Sequence, residues 1–133
     1  MPCLEGAQFV QEIFEQNRSE LLHGAIVWTP MLPADNLEAA MQRELMFSDT
    51  RVEQFWDPDR IFGRALSQTL NLTISIAWDV YLLYPPDHPW EAELPPVPEF
   101  WMHQQNEEMS HYLDPQRLKQ YLQDLLERTA FHE

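Results

Sequence analysis

The chain has 133 residues, 44% of them hydrophobic and 12% aromatic, enough to build one core, so a single domain over residues 1–133 is the simplest organisation. Acidic residues outnumber basic ones 22 to 8, and the excess persists along the sequence: 8 against 2 in residues 1–50, 8 against 3 in 51–100, and 6 against 3 thereafter. A surface this uniformly negative repels phosphate backbones and anionic lipid, which argues against nucleic acid and membrane partners and permits a basic protein partner; solubility alone also accounts for it.

Cys3 is the only cysteine, so no disulfide can form within the chain. The first 25 residues carry Glu5, Glu12, Glu15 and Glu20 and lack a basic start followed by an apolar run, so no secretory signal is expected. The longest apolar segment, "ISIAWDVYLLY", is interrupted by Asp79 and too short to span a bilayer. A reducing cytoplasm is the expected location.

Phe9, Val10, Ile13, Phe14, Leu21 and Leu22 recur at helical spacing. His23 and Gly24 then fit a helix exit, with Gly24 taking the left-handed position after the last turn. "AIVWT" is short, apolar and β-branched between Gly24 and Pro30, and reads as a strand covered on both faces. Asp35 can cap a following helix whose third position is Glu38 and whose inner stripe is Leu37, Met41 and Leu45. "TRVEQFW" (Thr50 to Trp56) is the next strand. "DPDRIFGRALSQTL" follows as a helix, with Asp57 as cap, Pro58 at the first position, and Ile61, Ala65, Leu66 and Leu70 facing inward. Two strands each followed by a helix imply a parallel pair joined by a right-handed crossover.

The strongest strand signal is "TISIAWDVYLLYPP", in which Ile74, Ile76, Trp78, Val80 and Leu82 alternate with their neighbours until Pro85 and Pro86 stop it. Residues 84–99 hold Pro85, Pro86, Pro89, Pro95, Pro96 and Pro98, with Trp90 as an aromatic anchor; they read as an extended loop. A short strand over Phe100 to His103 pairs antiparallel with the long one. Asp114 then caps a last amphipathic helix with Leu118, Tyr121, Leu122 and Leu125 on one face.

The pieces "VWTPMLPADNLEAA", "RVEQFWDPDRIFG", "AWDVYLLYPPDHPW" and "FWMHQ" resemble a mostly uncharacterised group of small bacterial thioredoxin-like proteins lacking the CxxC motif. The resemblance spans roughly residues 25–104. It implies an α/β fold: one thioredoxin-like domain, with a central mixed sheet of about four strands (a parallel pair and an antiparallel pair) and helices on both faces. It places Trp28 where thioredoxins carry the Trp before their redox cysteines, Thr29 at the attacking cysteine and Leu32 at the resolving one. A Thr hydroxyl cannot replace the thiolate of disulfide exchange. The proline that precedes the long strand in thioredoxins is replaced by the run Thr73, Ile74, Ser75, Ile76. What the resemblance leaves is a groove without its chemistry, so the expected role is a redox-inactive binding or accessory protein. Its candidate contacts are Trp28, Thr29, Pro30, Met31 and Leu32, with Trp90 and Trp101 as aromatic anchors beside prolines or in loops. The expected partner is a protein or peptide, basic if charge selects it, with no cofactor and no catalytic residue assigned.

Other chemistry has weaker footing. His103, Glu107 and His111 are spaced four apart, as metal ligands on one helix face would be, yet they lie in the most polar stretch of the chain, and a solvated loop is favoured over a metal site. Asp57 and Asp59 read as helix cap and first-turn acid before they read as a carboxylate pair. Asp79, in an apolar run, is expected to pair with Arg51, Arg60 or Arg64 if buried. A metal-assisted or acid/base enzyme using Asp79, Asp57 or the histidine segment is one alternative; a small acidic inhibitor or immunity-type protein is another. The three glycines, at 6, 24 and 63, cannot form a phosphate-cradling loop.

Overall fold

The computed structural model describes residues 2–30, 49–86, 94–105, 107 and 109–131. Within them the order is α1 (Pro2–Gln16), β1 (Gly24–Trp28), β2 (Val52–Trp56), α2 (Ile61–Leu70), β3 (Val80–Leu83), β4 (Phe100–His103), a 3-10 turn (Met109–His111) and α3 (Pro115–Phe131). The expected helix from Asp35 through Leu45 falls outside the described residues.

β1 and β2 pair in parallel, with Gly24 opposite Val52 and Trp28 opposite Trp56. β3 and β4 pair antiparallel, with Val80 opposite His103 and Leu83 opposite Phe100. Both pairings follow the sequence reading. The pairs do not join: among the described residues they are two separate two-stranded sheets, which corrects the single mixed sheet of about four strands.

The long strand is also shorter than its alternation suggested. Only Val80–Leu83 is a strand, because Asp79 sits at φ 52, in the left-handed region, and the chain turns there. Residues 73–77 run along α2 instead. The Ala77 N–H donates to the Gly63 carbonyl at 2.8 Å, and the Ser67 hydroxyl donates to the Ile74 carbonyl. Backbone groups already satisfied in this way have no need of a strand partner.

α1 ends at Gln16, before Leu21 and Leu22, for a reason on the far side of the turn. The Arg51 guanidinium donates to the carbonyls of Phe14 (2.8 Å), Asn17 (2.6 Å) and Ser19 (2.8 Å), while Nε and Nη2 bind the two oxygens of Asp49 at 2.9 and 2.6 Å. It thus supplies a donor to the Phe14 carbonyl in the last turn of α1 and to the Asn17 and Ser19 carbonyls just beyond it, in place of those a continuing helix would have provided. Gly24 is therefore no helix cap. It opens β1 without a left-handed φ, and a Cβ there would lie 2.6 Å from Cζ of Phe14, so any side chain would have to displace that buried ring.

The core gathers Ile13 and Phe14 of α1, Leu22, Met102 of β4, and Leu118 and Leu122 of α3, with Val52 of β2 and Tyr81 and Leu83 of β3 packed against it. α3 starts as expected, the Asp114 carboxylate receiving the N–H groups of Gln116 and Arg117. Trp28 forms a second cluster with Ile26 and Trp56. On α2, Leu66 is buried but Ile61, expected inward, is 66% exposed. No helix among the described residues is long and apolar enough to cross a membrane.

Candidate functional site

The turn after β1 is positioned from both sides. The Trp28 carbonyl receives the Asp57 N–H at 2.9 Å, fixing the ends of the parallel pair. The Asp57 carboxylate then receives the N–H groups of Ile61, Phe62 and Gly63 at 3.0, 3.1 and 3.2 Å, so it satisfies the first turn of α2. It caps from a distance: Pro58 and Asp59 form an intervening turn, and Arg60, at φ 59, precedes the helix. Pro58 is therefore not the first helical residue.

Gly63 brings three pieces of chain together. A Cβ built on it would lie 2.7 Å from Cγ2 of Ile76, 3.2 Å from the Ala77 carbonyl oxygen and 3.7 Å from Cγ2 of Thr29. Thr29, the start of α2 and the 76–77 segment thus meet around a glycine that leaves no room for a side chain. Thr29 and Pro30 are half-buried at this end of the sheet.

Trp28 is not on the surface. It is 8% exposed, packs on Ile26 and Trp56, and donates its indole N–H to Oε1 of Gln54 at 3.0 Å. A side chain so placed builds the end of β1. Trp101 belongs to the other sheet, where it stacks on His111 with ring centroids 4.1 Å apart and planes at 12°. Met31, Leu32 and Trp90 lie outside the described residues.

The histidine segment is not a helix face. His103 ends β4 and is fully buried, with its Nδ1 receiving the Gln105 N–H at 3.0 Å. His111, in the 3-10 turn, places Nδ1 3.1 Å from the Trp101 carbonyl. Leu113 donates to the His103 carbonyl at 2.8 Å, so the 111–113 segment covers carbonyls on the outer edge of β4. Glu107 points elsewhere: its carboxylate receives the Thr73 hydroxyl at 2.6 Å, the Thr73 N–H at 3.1 Å and the Ile74 N–H at 3.2 Å. These bonds to Thr73 and Ile74 hold its acid below the usual carboxylate value. Among the described residues no three His, Cys, Asp or Glu side chains gather as a metal would need.

Asp79 is half-buried, with Oδ2 3.4 Å from Nε2 of Gln105. Of the arginines considered for it, Arg51 is engaged with Asp49, whose carboxyl it brings down to about 2. Arg64 donates to the Asp59 carbonyl at 3.0 Å.

Gly63, Arg51 and Glu107 anchor the structure in roles that the sequence did not assign to them. A glycine inside a helical pattern is a recognisable sign of close packing, so Gly63 had a signal. Arg51 stands two residues after Asp49, a weaker one. Nothing near Glu107 indicates its partners 33 and 34 residues away. The chain matches no protein-family model, no curated protein and no solved structure in a search of each.

Proposed function

We propose that the chain is a non-catalytic binding or accessory module of thioredoxin-like type, which takes a protein or peptide partner on the turn that follows β1. The observation that supports this is the meeting of Thr29 with the 76–77 segment at the start of α2. In a thioredoxin-like protein the turn after the first strand and the chain leading to the long strand together form a peptide groove. In that comparison Thr29 stands where the attacking thiol would be, and a neutral hydroxyl cannot take the part of a thiolate. The candidate contacts are Thr29, Pro30, Met31 and Leu32, with Trp28 behind them and Trp90 and Trp101 as further aromatic candidates. The net charge of −14 favours a basic partner.

Two measurements test this reading. A photo-crosslinking amino acid at position 31 should give a discrete adduct that weakens at high salt, whereas the same group at position 123, exposed on α3, should not. Identical adducts at both positions, or none at position 31, would overturn the site. Thiol-disulfide turnover that survives Cys3→Ser would overturn the absence of redox chemistry.

A further inference from the structure

The parallel pair has a second end, away from the turn that follows β1. There the exit of α1 and the chain entering β2 enclose a cleft of about 490 Å³, with Phe14, Glu15, Arg18, Glu20, Asp49 and Arg51 in its walls. That volume lies in the range of small-molecule sites. Two of the five charged groups are spent: Arg51 lies over the Phe14 ring at 4.9 Å and binds both oxygens of Asp49, so those charges cancel within the wall. The other three are not. Among the described residues the side chains of Arg18 and Glu20 make no hydrogen bond or ion pair, and Glu15 receives only the neutral Gln11 amide, at 3.4 Å. The Arg18 charge is felt at Asp49 without a hydrogen bond between them. One guanidinium and two carboxylates thus share a cleft without neutralising one another, beside the C-terminal end of α1, which itself favours a cation.

We propose that this cleft binds a free amino acid with a cationic side chain, of the lysine, ornithine or arginine kind, its carboxylate on Arg18 and its two cationic groups on Glu15 and Glu20. The charges of such a ligand, one negative and two positive, complement the three left open in the wall. Arg18 offers a carboxylate two parallel N–H donors, whereas Glu15 and Glu20 only accept, from an ammonium or a guanidinium. Phosphate would meet two carboxylates against one free arginine, and a dicarboxylic amino acid would bring a second negative group to the same pair; both are repelled. A simple cation satisfies the carboxylates and leaves Arg18 without an acceptor. The cleft lies at the opposite end of β1 from Thr29, and its ligand does not depend on the binding role proposed above.

Titration of the full chain with L-arginine, followed in amide NMR spectra at constant ionic strength, tests it. Saturable shifts should appear at Arg18, Glu20, Thr50 and Arg51 and be complete by about 10 mM. Arg18→Gln makes the chain more negative, so general attraction of a cation would grow; the site predicts the opposite, about fivefold weaker binding, and the same loss in Glu20→Gln. Glu127→Gln, exposed on α3, changes the charge as Glu20→Gln does and should leave the affinity unchanged. Because Arg18 and Glu20 are exposed and unbonded, both variants should keep the wild-type spectrum away from the cleft. L-Arginine amide, which lacks the carboxylate, should bind about fivefold more weakly than L-arginine; equal binding would take Arg18 out of the site and overturn the proposal. N-Acetyl-L-arginine lacks the α-ammonium and resembles the last residue of a peptide, so its binding as tightly as L-arginine would overturn the free amino acid in favour of a peptide terminus. Shifts that rise linearly with concentration, or that Arg18→Gln leaves as they were, would also overturn it.

Discussion

The Glu107 carboxylate holds Thr73 from 34 residues away, receiving its hydroxyl at 2.6 Å and its N–H at 3.1 Å from each oxygen. Because these bonds favour the charged form, the folded-state acid is lowered from 4.5. Its contribution to stability is therefore complete above that value and is lost as pH falls through the lowered one. Thermal unfolding of Glu107→Gln should start below the wild type at neutral pH, and the two curves should converge in strong acid. A gap that stays constant from pH 6 to pH 2 would show that the charge plays no part.

Gly24 and Phe14 form a contact with no slack. Gly24→Ala puts a Cβ 2.6 Å from Cζ of a ring that is itself 5% exposed, so the strain falls on the core. The expected loss is about 1–3 kcal/mol, as for overpacking elsewhere. Phe14→Leu makes room, so the double variant should lose less than the sum of the singles. A chemical-denaturation cycle giving strict additivity would refute the contact.

Arg51 has all of its guanidinium N–H directions in use, three towards the carbonyls of Phe14, Asn17 and Ser19 and two towards Asp49. Arg51→Lys keeps the charge and loses the fork, so it should destabilise nearly as much as Arg51→Ala, about 2 kcal/mol. Asp49 is lowered from 3.8 to about 2 chiefly by its hydrogen bonds to Arg51. The stability linked to it is present above 3.8 and is lost as pH falls towards 2; in Arg51→Ala that acid-sensitive component should vanish. Titration of the Asp49 carboxyl by NMR at its ordinary value in the variant would confirm the cause.

What the sequence conveyed depended on the range of the interactions that decide each element. Apolar runs and caps are local, and they located β1, β2, β4 and α3 within a few residues, together with the parallel and antiparallel pairings. The alternation from Ile74 to Leu82 is equally local, but whether it becomes a strand depends on what its backbone bonds to. Gly63, Ser67 and Glu107 take up Ala77, Ile74 and Thr73, and none of those three is visible from within the run. Leu21 and Leu22 keep the helical period after the helix has ended, because Arg51 terminates it from another part of the chain. At the candidate site, the absence of cysteine from Thr29 to Leu32 was legible. The burial of Trp28 was not, because a tryptophan before a proline turn has the same sequence signature whether its ring faces in or out.

Trp28 holds the second cluster together. Trp28→Ala removes the centre of the second cluster and the N–H that reaches Gln54, so it should cost about 3–5 kcal/mol. Trp28→Phe retains most of the packing and should cost less. Partner capture lost in Trp28→Ala would follow from unfolding, so capture must be compared with circular dichroism on the same sample. A Trp28→Ala domain with an unchanged denaturation midpoint would contradict the burial of Trp28.

Tyr84 tests the packing at the other end of β3. Its hydroxyl donates to the Pro96 carbonyl at 2.7 Å, and burial raises the phenol from 10.0 to about 12. A raised acid is protonated longer in the folded state than in the unfolded one. The stability linked to it is therefore full below pH 10, falls as the unfolded chain begins to ionise, and is lost by about pH 12. Tyrosinate absorbance should show one phenol titrating last, and Tyr84→Phe should remove that late step while costing about 1 kcal/mol for the missing hydrogen bond. Tyr121 is also raised, first by desolvation and then by Glu99, but its hydroxyl faces an exposed ion pair with Arg128. Glu99→Gln should bring Tyr121 down and leave the Tyr84 step in place. If Glu99→Gln shifts the last step instead, the phenol buried against Pro96 is not the one ionising near pH 12.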